Sequence, residues 1–448
     1  MTRVGAHAPV LPLLAVVVLL ALPLGPGGGE GGAGPADAVS ALVVLYCAVR
    51  LVRDRRRPLS RTAAVVLGLP VLGVAVAAMG AVSPGEGLTG LGRYLQVFVL
   101  VPAAVLLLLR DRADFRLLAW SFVGLAVWQG AVGVHQYATG TGASYQGRPV
   151  RAVGTFGAQD VMGMATVVSL GLVCAVGLAL GAGPVRQRII GLACALALLP
   201  PLALSFSRGA WIATAVTVTA QLLLSGLRRA LTAGAVVAAA SMILVGGFGV
   251  GTAMLQERMS SITRVADAPD QSVTDRYTMW AAATGMWGEH PATGVGLKGF
   301  PEHRDAHASL ALSAGSDTEG AGAAFRKQPL LSPHNMYLLI LSEQGLLGLV
   351  ALAGSWLALL LCAVRALWHT RRACAPGLDC GLVACGLLVW QLTDFAYADI
   401  GGPSTVLTAM CFGLAAWWGL TAANAGPRPG GSGAGSGARA LAEGTPAR

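Results

Sequence analysis

The chain has 448 residues, of which 55% are hydrophobic and 12% charged, with a formal net charge of +10 and a mean hydropathy of +0.66. A soluble domain carries about twice that share of charge, so composition excludes a string of water-soluble domains and indicates one integral membrane bundle. In such a chain excess arginine reads first as cytoplasmic loop charge, not as a nucleic-acid surface.

Twelve apolar runs are candidate membrane spans, at roughly 8–24, 37–52, 62–82, 91–109, 115–134, 160–180, 188–205, 209–225, 229–251, 335–364, 378–395 and 403–422. The first also fits a signal peptide, with Arg3 ahead of the apolar stretch. The spans that follow it favour a membrane helix. The expected fold class is therefore an all-α polytopic membrane protein of about 12 helices, with residues 1–424 as the membrane domain. The tail 425–448 is rich in Gly, Pro, Ser and Ala and is expected to be disordered and cytoplasmic.

Arginine clusters follow every even-numbered span. Arg50, Arg53, Arg55, Arg56 and Arg57 follow the second, and Arg110, Arg112 and Arg116 the fourth. Arg186 and Arg188 follow the sixth, Arg228 and Arg229 the eighth, and Arg365, Arg371 and Arg372 the tenth. The positive-inside tendency then makes these loops, and both termini, cytoplasmic.

The odd-numbered exits face outward. The segment from Gly25 to Asp37 is glycine-rich and carries no visible chemistry, and Ser83 to Gly90 reads as a short turn. The stretch from His135 to Asp160 holds Arg148 and Arg151, which flank the next span and could contact phosphate or headgroups. The largest loop, 252–332, lies between spans 9 and 10 and carries Arg258, Arg264, Arg276, Lys298, Arg304, Arg326 and Lys327. Loops of that length are usually functional. So much positive charge outside runs against the usual tendency, and an anionic ligand at the outer surface would explain it.

Within that loop, Thr274 to Glu289 reads as a helix ended near Pro291, with Arg276, Trp280 and Trp287 on one stripe. That fits an interfacial helix, although Arg276 could also simply pair with Asp275 or lipid. Ser207 is placed to cap span 8, with Arg208 in its first turn, where a cation opposes the helix dipole. Such an arginine points to a nearby anion, against the alternative of snorkelling to lipid phosphate. The segment 306–324 is Gly/Ala/Ser-rich and expected to be mobile.

Ser332-Pro333-His334-Asn335-Met336-Tyr337 runs on to Glu343-Gln344-Gly345-Leu346-Leu347-Gly348. Ser332 suits an N-cap and Pro333 the first helical position, which would put His334 in the first turn, near the positive end of the dipole. There the imidazole would tend to be neutral and able to accept a proton. At about 100° per residue, His334, Leu341, Gly345 and Gly348 share one stripe, and the two glycines would admit another helix closely. Glu343 projects to the other side, as an interior hydrogen-bonding group.

Other patterns carry less. Gly294 to Phe300 contains GxGxxG but has no preceding strand or βαβ unit, so it reads as a loop with glycine turns. His290, His303 and His307 with Glu289, Glu302 and Asp305 match no standard ligand spacing. The eight cysteines include no CxxC pair, and neither a metal site nor a cofactor is expected. Asp394 and Asp399, at the outer end of span 11, could line the same cavity as the basic motifs or simply be solvated at a helix end.

Three pieces in order resemble the O-antigen ligase and Wzy polymerase superfamily. They are Ser207-Arg208-Gly209, then Arg276-Tyr277-Thr278-Met279-Trp280 with Pro291 and Gly294-Val295-Gly296, then His334-Asn335 with Gly345 and Gly348. Gly154-Thr155-Phe156 is similar to the family's G-T-F turn, where an Asn usually follows; Asp160 stands in about that place. The resemblance covers about 154–350. It implies a GT-C-like, metal-independent glycan transferase in the bacterial inner (plasma) membrane, working on the outer face. The donor it implies is a polyprenyl-diphosphate-linked glycan, usually undecaprenyl, and the acceptor a glycan, lipid or protein. Arg208 and Arg276 would hold the diphosphate and His334 would be the base, with Arg148, Arg151, Asn335 and Tyr337 as further substrate contacts. Ligases, polymerases and protein O-oligosaccharyltransferases share these motifs. A reading from another class is a transporter or flippase of lipid-linked glycans, which should place charges at mid-span and on broken helices.

Overall fold

A computed structural model describes residues 9–23, 34–54, 59–145, 148–226, 231–232, 271–317, 327–328 and 330–422. The candidate span 229–251 apart from 231–232, Arg55, Arg56, Arg57, Arg228, Arg229, Arg258, Arg264, Arg326, most of the Gly25 to Asp37 segment and the tail 425–448 lie outside the described residues.

The described chain is almost wholly helical. In order it forms α1 (Leu11–Leu19), α2 (Pro35–Asp54), α3 (Arg61–Met79), α4 (Pro84–Leu95) and α5 (Val101–Leu108), the last two joined through a π-helical turn, Gln96–Leu100. Next come α6 (Arg112–Thr139), a hairpin of β1 (Ala143–Tyr145) and β2 (Arg148–Arg151), and a 3-10 segment, Gly154–Gln159. Then follow α7 (Gly163–Leu180), α8 (Val185–Ala197), α9 (Leu199–Leu204) and α10 (Arg208–Ser225). The remainder is α11 (Gln271–Glu289), α12 (Phe300–His307), a short hairpin of β3 (Ser316–Asp317) and β4 (Lys327–Gln328), α13 (Met336–Arg372), α14 (Leu378–Asp394) and α15 (Thr405–Ala422).

Among the described residues seven helices are long and apolar enough to cross a membrane: α2, α3, α4 with α5, α6, α7, α8 with α9, and α13. Lipid offers no hydrogen bonds, so helix ends must be satisfied by the chain. Short polar side chains do this. Ser60 Oγ accepts from Ala63 N (3.1 Å), Asp111 from Ala113 and Asp114 N (2.8 and 2.9 Å), and Ser207 from Ala210 N (3.4 Å).

Three expectations change. The Ser83 to Gly90 turn is a helix start, because Ser83 caps α4 through Glu86 N and Pro84 occupies its first position. His135 is helical, since α6 continues to Thr139 and ends on Gly140 in the left-handed conformation. The first apolar run is helical for only nine described residues.

The helices define two ends. At one, Arg116 pairs bidentately with Asp379 (2.5 and 3.1 Å), joining the starts of α6 and α14. Arg110 pairs with Asp114 there, and Arg371 donates to Leu224 O (3.1 Å). This arginine-rich end holds the N-termini of α6 and α14 and the C-termini of α7, α10 and α13. The start of α13, the end of α14 and the N-termini of α7, α10 and α15 therefore meet at the opposite end.

Beneath that second end lies an aromatic core. Trp356 of α13 packs on Phe395 and Phe98 with centroids 5.0 and 5.1 Å apart, and Phe412 and Tyr337 complete the cluster. Such pairs contribute about 0.5–1.5 kcal/mol each beyond their area. They anchor the turn after α14, on which the site is built.

Candidate active site

The turn 395–399 and the segment 332–337 are stapled together. Met336 N donates to Phe395 O (2.8 Å) and Ala398 O (3.0 Å). Asn335 Nδ2 donates to Ala396 O (3.1 Å), and Tyr337 Oη to Leu392 O (2.7 Å). Ser332 Oγ donates to Asp399 Oδ2.

This changes the expected cap. Asn335, not Ser332, caps α13, its side-chain oxygen accepting from Leu338 N (3.1 Å). Pro333 and His334 therefore precede the helix instead of opening it. Ser332 Oγ accepts the His334 N–H (3.4 Å). His334 sits at φ 49, a left-handed backbone that costs a non-glycine residue of order 1 kcal/mol or more. Phe206, two residues before Arg208, is left-handed as well, at φ 51. Strain held at both motifs marks them as positions the surrounding structure enforces.

The reason for a neutral imidazole changes with the cap. His334 lies outside the helix, so the dipole is not the main cause. Burial pushes the imidazole below its ordinary value; Asp399 pulls it back up and the Arg276 guanidinium pushes it further down. His334, Asp399 and Arg276 are thus electrostatic neighbours.

Arg276 arrives on α11, which begins three residues earlier than the sequence suggests and ends at Glu289 as expected. Trp280 Nε1 donates to Pro333 O (2.9 Å), fastening α11 to the histidine turn. Asp275 on the same helix accepts from Ser313 N (2.8 Å), Ser313 Oγ (2.7 Å) and Gln271 Nε2 (2.8 Å). The stripe that reads as interfacial in sequence thus also docks against protein, since Trp287 Nε1 donates to Pro291 O (3.2 Å).

Arg208 opens α10 behind its Ser207 cap. The next residue, Gly209, lies against the 395–399 turn, where an added Cβ would stand 3.1 Å from Tyr397 Cβ. The hairpin joins the same end. Ala152 N donates to Leu204 O (3.1 Å), and Arg151 reaches Ser205 O (3.1 Å) through Nε and Met162 Sδ (3.2 Å) through Nη2. Arg148 lies on β2, and its side chain is outside the described ones.

Gly345 and Gly348 part company. Gly345 breaks α13 at φ 63, so the single stripe from His334 to Gly348 does not form. A loop fills the break. Leu346 and Leu347 N donate to Pro291 and Ala292 O, while Val295 and Gly296 N donate to Ser342 and Glu343 O (2.9–3.1 Å). The glycine motif 294–296 is thus a plug in an interrupted helix, a loop as expected and far from dinucleotide binding. Gly348 lies close to α3: a Cβ on Gly73 would stand 3.0 Å from Gly348 Cα. Glu343 is buried and accepts from Phe300 N (3.3 Å), an interior hydrogen-bonding role.

The loop histidines do not form a ligand set. His307 pairs with Glu289 (3.2 Å), His303 Nδ1 contacts Gly299 O (2.9 Å), and no cluster among the described residues could hold a metal ion.

Sequence reasoning undervalued the acids. Asp160, Asp394 and Asp399 line one cavity at this end, of ≈ 70 Å³. Asp160 Oδ2 accepts from Ser404 N (3.2 Å), and burial pushes its carboxyl up. The available signal was carboxylates at the ends of apolar helices, which are costly unless used. A second missed group is Asp37 of α2, buried and paired with Arg93 of α4, which also reaches Gly402 O (3.2 Å).

A family model described as O-Antigen ligase, Wzy_C, matches residues 192–353. That stretch, a little over a third of the chain, is similar to the O-antigen ligase/Wzy superfamily. The matched stretch holds Arg208, Arg276, His334, Asn335, Gly345 and Gly348, and ends before the acids of the 394–399 turn. A comparison with curated proteins finds no match.

Proposed function

We propose that the chain transfers a glycan from a polyprenyl-diphosphate carrier to an acceptor hydroxyl. In this reading it is an inner-membrane glycosyltransferase of the GT-C type, metal-independent, with twelve spans, cytoplasmic termini and its site on the outer face. Arg208 and Arg276 bind the diphosphate, and His334 is the general base. The observation that carries the reading is that the helix bearing Arg276 is hydrogen-bonded through Trp280 to the His334 turn, at the end opposite the arginine-rich one, where Arg208 also lies. Cell-surface polysaccharide assembly is the setting that the family match supports.

The chemistry follows from charge. His334 takes the proton of the acceptor hydroxyl as its oxygen attacks the anomeric carbon. The anomeric C–O bond breaks, and negative charge grows on the departing diphosphate, where the guanidinium groups offset it. Asp399 stabilises the imidazolium as it forms. A bound diphosphate also masks the Arg276 charge that depresses His334, so the base strengthens when the donor is in place.

The transporter reading relies on broken helices open to a ligand. In α13 the freed backbone groups are taken by the chain's own loop 291–296, which favours the transferase.

The test uses purified protein in lipid nanodiscs, a polyprenyl-diphosphate oligosaccharide and a hydroxyl acceptor. Glycan transfer should survive chelation. His334→Ala should lower kcat by about 10²–10⁴-fold, the scale of general-base catalysis. Arg208→Ala and Arg276→Ala should abolish turnover while the protein stays folded. Normal turnover in both arginine variants removes the diphosphate clamp, and lipid movement without transfer replaces the enzyme with a flippase.

A further inference from the structure

The cavity beside His334 has a chemistry that the donor does not use. Its walls are Asp160 and Met162 before α7, Gln391 and Asp394 of α14, Asp399, and the hydroxyl-bearing start of α15. Its ≈ 70 Å³ admits a few waters or the hydroxyl edge of one sugar. Among the described residues its lining contains three carboxyl groups and no lysine or arginine. A diphosphate would be repelled there.

Gln391 provides an independent observation. Its side chain is 2% exposed, it lines the cavity, and its Oε1 has no hydrogen-bond partner among the described residues. A buried acceptor without a donor costs about 1–3 kcal/mol, and a ligand that donates hydrogen bonds relieves that cost. The adjoining carboxylates of Asp394 and Asp399 ask for the same kind of partner. Asp399 links the cavity to the base, being held by Ser332 two residues before His334.

We propose that this cavity seats the acceptor. It takes the hydroxyl-rich edge of a neutral or amino sugar, delivers one hydroxyl to His334, and rejects acceptors bearing carboxylate, sulfate or phosphate at that edge. The inference rests on the transferase reading and adds the acceptor class to it. The two ligands thus divide by charge, with the anionic donor at the guanidinium groups and the donor-rich acceptor at the carboxylates.

The experiment uses the full chain in lipid nanodiscs with a polyprenyl-diphosphate oligosaccharide. The acceptors are alkyl glycosides of glucose, galactose and mannose, each as the neutral sugar, the amino sugar and the uronate. Neutral and amino acceptors should exceed uronates in kcat/KM by about tenfold or more, as expected when a buried polar site is left mismatched. Assayed at pH 8, so that the buried acid is ionised, Asp394→Asn should shrink that preference to roughly threefold or less through acceptor KM, with donor KM unchanged, because it removes one of the repelling charges. Thr408→Val, isosteric and lining the same space, should raise acceptor KM without changing donor KM. Uronates accepted equally well, or an unchanged preference in Asp394→Asn, overturn the assignment. Donor hydrolysis to water without transfer to any acceptor in the panel overturns it too, while leaving the transferase standing. Absence of both transfer and hydrolysis in the unaltered protein sinks the transferase and this seat together.

Discussion

His334 shows how one side chain can be tuned by three influences at once. Burial and Arg276 push the imidazole down, and Asp399 opposes them. Since the folded value lies below the ordinary 6.5 or so, the ring is already neutral at pH 6.5 and becomes protonated only at lower pH. Transfer should therefore lose rate as pH falls through a value under about 6.5, and not at it. Replacing Asp399 with Asn removes the upward pull, so the acidic limb should move to still lower pH. A pH profile of kcat/KM for both proteins checks this, and a limb that rises in Asp399→Asn contradicts it. By linkage, the stability held in a buried neutral histidine is likewise present above its ordinary value and lost as pH falls through its folded value.

At the scale of elements, the break in α13 holds the site in place. Gly345 adopts φ 63, and a Cβ there would stand 2.4 Å from the Ala292 carbonyl group. The loop 291–296 that fills the break continues from α11, the helix that carries Arg276. Gly345→Ala imposes a left-handed alanine, costing about 1–2 kcal/mol, and a backbone clash besides. We expect a loss of about 3 kcal/mol or more, read as a lower melting temperature in detergent, with transfer falling in parallel. A Gly348→Ala control acts elsewhere, against the Gln344 side chain. Equal melting temperatures for Gly345→Ala and the unaltered protein would show that the plug is not needed.

At the scale of the whole molecule, the two ends carry different charge. Asp379 has a side chain only 2% exposed, with Arg116 as its ion-pair partner and a longer hydrogen bond from Gln187 Nε2 (3.4 Å). Arg116→Ala strands a buried carboxylate and should cost about 3–5 kcal/mol, seen in the same melting assay; Arg116→Ala with Asp379→Asn should recover part of it. Orientation has its own probe. Cys374 is exposed at the arginine-rich end, just past α13, while most of the other cysteines are buried. A membrane-impermeant maleimide should label Cys374 in permeabilised cells and not in intact ones. His290→Cys, exposed beside the plug loop, should label in intact cells. The reverse pattern inverts the topology and moves the proposed site to the cytoplasm.

Much was legible without coordinates. Periodicity located most of the long apolar helices, and arginine spacing picked out the arginine-rich end, because lipid forces apolar runs to be helices and charge to gather in loops. The Ser207 cap of α10 was readable too, since it is a local interaction. The sequence could not show that Asn335 displaces Ser332 as the cap of α13, because that choice depends on Met336 bonding to a turn some sixty residues later. Nor could it show that Gly345 ends one helical segment and begins another, since the loop that pays for the break comes from α11. Motifs and their resemblance to a family nominated Arg208, Arg276 and His334 as candidates for the chemistry. Only tertiary structure decided that Arg276, His334 and three distant carboxylates share one end, because burial and charge coupling are properties of packed elements, not of neighbours in sequence.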